Sequence, residues 1–174
     1  MKTYMVVLAV DWKEFPNDSY WWRCVKASSE KVAVKRAVER VCKQISFTND
    51  VQAIWAEPLT IQKVIGVLQA FDAREGYTGH LIDMICTIRR NAPELYADAQ
   101  RRNLDAKIAK LDAERIETFW AAMDCGQLRG TLANQSFIPY EGKEAKAEKL
   151  WARLGELLDA LREVKKLRAQ YAAE

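Results

Sequence analysis

The chain opens with a run that is apolar on both faces. Thr3 to Val10, T-Y-M-V-V-L-A-V, is rich in β-formers and shows no polar alternation. Strands read this way when both sides of their sheet are covered, so the pattern predicts a central strand. Residues 11–18, D-W-K-E-F-P-N-D, carry turn chemistry around Pro16, Asn17 and Asp18. A second strand is predicted over 19–26, S-Y-W-W-R-C-V-K. Strand geometry puts Tyr20, Trp22 and Cys24 on one face and Trp21, Arg23 and Val25 on the other. Arg23 marks the second face as the wetter one. Trp21 is therefore expected to point outward and Trp22 into the core, where Trp55, Trp120 and Trp151, which also sit on apolar stripes, are expected as well.

The period then changes. Ser28 or Ser29 caps a helix whose first turn holds Glu30, which suits the helix dipole. Val34, Ala37, Val38, Val41, Cys42 and Ile45 recur at helical spacing as the expected buried stripe. Lys31, Lys35, Arg36, Arg40 and Lys43 occupy the other side against Glu30 and Glu39, a local charge of +3. Residues 51–57 predict a third strand ending at Pro58. A right-handed crossover places the first strand in the middle, giving a β-β-α-β unit over 1–58 with a three-stranded antiparallel sheet of order 2-1-3. The fold class is α+β.

From Leu59 to the end the periodicity is helical, and 59–174 is expected as a helical bundle or long hairpin sharing a core with the sheet. Thr60 caps a short helix to about Ala73, with Val64, Ile65, Leu68 and Phe71 inward. R-E-G-Y-T-G breaks it, and Thr78 caps the next, His80 to Arg90, striped by Leu81, Ile85 and Ile88. Pro93 begins a long helix to about Asp124, and Gly126 ends it. Its first half is polar nearly all round (Arg101, Arg102, Asn103). Its second half carries Ile108, Leu111, Ile116, Phe119, Trp120 and Met123. Residues 126–142 form a long apolar connection expected as a loop packed across the domain. The last helix, about Gly142 to Tyr171, spaces Leu150, Leu154, Leu157, Leu161 and Val164 alternately by four and three. That seam fits an antiparallel hairpin with the 93–124 helix. The alternative is a homodimer through helix 142–171.

Composition narrows the function classes. The 174 residues carry a net charge of +3, and the sequence pI is about 8.6. The charge is evenly spread: +2 over 1–58 (9 basic, 7 acidic), −1 over 59–125 (9 and 10) and +2 over 126–174 (9 and 7). Such a balance argues against both a dedicated nucleic-acid arm and an acidic DNA mimic. The start imitates a signal peptide, but Asp11 ends the short apolar run without a cleavage site, so a cytoplasmic protein is expected. No stretch is long enough to span a membrane. The four cysteines lie far apart without a C-x-x-C pair and are expected as reduced, buried thiols.

Candidate chemistry is sparse. One histidine excludes the two-His metal motifs, and the scattered glycines form no phosphate loop, so neither metal nor cofactor is expected. His80 with Asp83 one helical turn on is the only acid–base candidate, without an activated nucleophile beside it. The stronger signals are binding signals. Trp12, Trp21 and Arg23 form one candidate patch, because Trp and Arg bury large rigid surfaces at little entropic cost. Lys35 with Arg36, Arg89 with Arg90, and Arg101 with Arg102 are basic clusters able to grip phosphates.

The junction V-K-A-S-S-E-K-V-A, Val25 to Ala33, resembles a strand-to-helix phrase of small α+β accessory proteins from phages and mobile elements. The resemblance spans about residues 19–45. It implies a compact, non-enzymatic binder of the kind that includes inhibitors of bacterial defence, such as anti-CRISPR proteins. Many of those are acidic and this chain is not, which leaves direct blocking of a protein rather than DNA mimicry. The expected partner is a larger host protein or ribonucleoprotein complex, met in the host cytoplasm. Nucleic-acid binding through the basic helix faces is the alternative, and an enzyme around His80 and Asp83 is a second.

Overall fold

A computed structural model describes residues 1–12, 19–44, 48–73, 78–130 and 135–171. Its elements are β1 (Lys2–Trp12), β2 (Ser19–Ala27), α1 (Glu30–Gln44), β3 (Thr48–Pro58), α2 (Ile61–Asp72), α3 (Thr78–Asn91), α4 (Pro93–Met123), β4 (Gly126–Arg129), β5 (Ser136–Pro139) and α5 (Glu144–Gln170). The chain forms two compact units that divide inside α4, after Gln100.

In the first unit the sheet has the order β2-β1-β3, antiparallel throughout, as the hydrophobic pattern predicts. Val6 in the central strand faces Arg23 on one side and Ala56 on the other. Tyr4, Val6, Leu8 and Val10 join Val25 and Ala27 of β2 and Ala33, Ala37 and Val41 of α1 in one buried cluster. Met5, Val7 and Cys24, on the opposite face, are buried too. α2 and α3 meet that face, where Met5 shares a cavity lining with Val67 and Met84, and their Val64, Leu68 and Ile88 are buried.

This double cover overturns the expected split of the tryptophans. Trp21 is half-buried and packs against the α1-side cluster, and Trp22 is also half-buried. With helices over both faces, Trp21, Trp22 and Arg23 are all half-buried.

Ser29 caps α1 by accepting from the Val32 amide, and Thr60 caps α2 by accepting from the Lys63 amide. The buried stripe of α1 is Ala33, Ala37 and Val41, flanked by Val32, Val34 and Val38. It is rotated from the expected one because alanines let the helix approach the large β1 side chains. Cys42 is consequently exposed, as is Cys86 on α3, so two of the four thiols expected in the core are at the surface. Ile45 and the break at 74–77 lie outside the described residues. Phe71, expected inward, is exposed at the end of α2.

The second unit pairs the rest of α4 with α5. Leu154, Leu157 and Leu161 are buried, with Leu150 and Val164 half-buried beside them. Glu114 with Arg153, and Asp105 with Arg168, show that the two helices run antiparallel. The seam is thus used inside the chain. Asn103, in the stretch that reads as polar nearly all round, is only 3% exposed. Within the 126–142 connection, β4 and β5 pair antiparallel, Gly126 to Pro139 through Arg129 to Ser136, and residues 131–134 lie outside the described residues. Phe137 of β5 packs edge-on to Trp151 at 5.2 Å. Trp120, expected in the core, is 63% exposed.

Candidate functional site at the open edge of β2

β2 is an edge strand, and α3 runs along it. Between them lies a groove of about 300 Å³, lined by Tyr20, Trp21, Trp22 and Arg23 from β2 and by Asp83, Cys86, Thr87 and Arg90 from α3. Residues 83, 86, 87 and 90 are spaced to share one helix face. Four consecutive strand residues reach the groove because it follows an edge, where side chains of both faces are in view.

Arg23 is the centre of the site. Its guanidinium carbon lies 4.8 Å from the Trp21 ring centroid, a cation–π stack. Nη1 donates to the Trp22 carbonyl at 2.9 Å and Nη2 to Gln44 Oε1 at 3.2 Å, near the C-terminal end of α1. Of five guanidinium N–H groups, three have no acceptor among the described residues. No carboxylate among those residues pairs with Arg23. Burial, and then the charge of Arg40, press its pKa below the ordinary arginine value. It stays a cation, but an unneutralised one.

The edge is guarded against strand addition. Arg23 occupies the Trp22 carbonyl, and Arg36 donates to the Lys26 carbonyl at 2.6 Å. Charged side chains on an edge blunt edge-to-edge pairing. At these two positions the edge presents guanidinium groups rather than free carbonyls.

Of the residues singled out in the sequence, Trp21, Arg23 and Arg90 meet in this groove. Trp12 ends β1, and its side chain lies outside the described residues. Lys35 is exposed on α1, 4.0 Å from Glu39, and Arg36 serves the Lys26 carbonyl. Arg89 is exposed on α3. Arg101 and Arg102 belong to the second unit, and each has an interaction of its own. His80 is exposed with its ring 6.4 Å from that of Tyr20, and Asp83 lines the groove.

A second cavity, about 320 Å³ and largely apolar, is lined by Met5, Trp55, Leu59, Gly66, Val67 and Met84 among others. Trp55, expected in the core, is 41% exposed at this site. A register shift between Val7 and Leu8 leaves Ile54 without a partner on β1, so Trp55 is re-aimed. Lys63 pairs with Glu57 at the same cavity.

Sequence inspection missed Cys86, Thr87 and Gln44 as groove or support residues. The α3 spacing of 83, 86, 87 and 90 was visible, but nothing local says that this face meets β2. No family model matches the chain, and no curated protein or solved structure is significantly similar to it. Among the described residues no three His, Cys, Asp or Glu side chains gather as a metal site, and no helix is long and apolar enough to cross a membrane.

Proposed function

We propose that the protein is a non-catalytic binding protein that acts by occluding the surface of a larger protein or ribonucleoprotein complex. The observation that carries this reading is Arg23: a half-buried guanidinium, held in place by Trp21, Trp22 and Gln44, with donors to spare. Ordering a half-buried guanidinium with no carboxylate partner among the described residues opposes folding, and an anionic partner removes that cost. Arg and Trp together are also the side chains that dominate binding hot spots. The resemblance of Val25–Ala33 to phage and mobile-element accessory proteins supports a host defence complex as the target. The test is affinity capture from a bacterial lysate with tagged protein, with and without nuclease. A stoichiometric protein retained after nuclease is the expected result. Turnover of a substrate by the purified protein alone would overturn it.

The second reading is nucleic-acid binding through α1. Lys31, Lys35, Arg40 and Lys43 are all exposed on this one helix. It requires an affinity that falls steeply with salt and is lost on Lys35→Glu with Lys43→Glu. Absent or salt-independent binding to DNA and RNA removes it.

A further inference from the structure

We infer that the groove between β2 and α3 recognises an acidic side chain on a segment of a protein partner, seated between Arg23 and Arg90. This rests on the reading of the protein as an occluding binder and names the chemistry its site selects.

Charge complementarity decides the class of occupant. Arg23 and Arg90 line the same groove, and neither has a carboxylate partner among the described residues. A guanidinium presents a planar fork that matches a carboxylate with two parallel hydrogen bonds. Arg23 is already oriented by its ring stack and two hydrogen bonds, so little of its freedom remains to be lost on binding.

Asp83 separates a carboxylate from a phosphate backbone. It sits in the same groove, so the wall is not uniformly basic. A track of phosphates would meet it as a like charge, whereas a peptide can set a hydroxyl or a cation there beside its acid. The field of the unit agrees. Residues 1–100 hold 13 basic and 12 acidic side chains, a net charge of +1. Nucleic-acid affinity grows with the number of phosphates neutralised, and this groove offers few.

The edge geometry limits how the segment lies. With the Trp22 and Lys26 carbonyls occupied, the segment is held through side chains and not as a fourth strand.

The experiment is selection of a random dodecapeptide display library on the immobilised full chain, with a random single-stranded RNA pool as competitor. Enriched peptides are expected to share an Asp or Glu at one position. Arg90 is exposed, so Arg90→Glu keeps the fold, checked by an unchanged melting curve, and is expected to weaken those peptides about tenfold or more. Arg40→Glu, outside the groove lining, tests whether the like charge beside Arg23 contributes and is expected to weaken them less. Peptides without a shared acid, equal binding to Arg90→Glu, or displacement by the RNA pool would overturn the inference. Lysate capture that persists in Arg90→Glu leaves the occluding binder standing and removes only this groove. Loss of capture by wild type removes the broader reading instead.

Discussion

Arg168, near the end of α5, holds the Asp105 carboxylate of α4 with two hydrogen bonds, Nε to Oδ1 at 2.7 Å and Nη2 to Oδ2 at 3.3 Å. The fork grips one end of the antiparallel pair, and Arg153 with Glu114 grips it further along at 2.6 Å. Both carboxylates raise the pKa of the arginine they hold. These are surface contacts, so they set register more than they add stability. Asp105→Arg and Arg168→Asp should each lower the melting temperature. The double swap should recover most of the loss in a circular-dichroism melt, with less effect in high salt.

Leu157 and Leu158 are neighbours with opposite environments, 1% and 43% exposed. Leu157→Ala leaves a cavity in the seam and should cost about 2–5 kcal/mol in urea unfolding. Leu158→Ala should stay within about 0.5 kcal/mol. A dimer through this face would reverse the ranking and show concentration-dependent melting.

Burial pushes the Cys24 thiol up to about 12 from an ordinary 9.0, so it stays protonated in the folded protein. The folded state then holds the proton where the unfolded chain has lost it. Stability from this group is complete below pH 9 and is lost as pH rises towards 12. A shift of that size corresponds to at most about 4 kcal/mol. Cys24→Ala should flatten the alkaline loss relative to wild type in pH-dependent unfolding. At neutral pH a native thiol assay should show two fast cysteines, Cys42 and Cys86, and four after denaturation.

Gly126 is fixed by space rather than by its backbone angles. A Cβ there would run into the Ile138 carbonyl oxygen and the Phe137 ring and come within 2.8 Å of Pro139 Cα. Gly126→Ala should therefore open the β4–β5 hairpin at a cost of about 1–3 kcal/mol. A greater accessibility of Trp151 to acrylamide quenching, through loss of its Phe137 contact, reports the opening.

The β-β-α-β order was legible because it depends on local signals. The unbroken apolar run of β1 demands cover on both sides, and the caps at Ser29 and Thr60 sit where hydroxyls precede periodic stretches. The β4–β5 hairpin was not, since four-residue strands show too little alternation to stand out from a loop. Trp55 was misplaced because one bulged residue, Ile54, shifts the alternation that assigns its face. The two outlying cysteines were misplaced because apolar neighbours do not say which way a helix is turned.

What the sequence alone determined is the chain of elements and the central place of β1, since hydrophobic period and caps act between near neighbours. It also marked Trp21, Arg23 and Arg90 as unusual. Only the tertiary structure decided that α3 lies along the β2 edge, that Trp21 is packed rather than outward, and that Arg23 and Arg90 share one groove with Asp83. Those relations join residues some sixty positions apart in the chain. They depend on which helix covers which face, a choice made by packing and not by any local pattern.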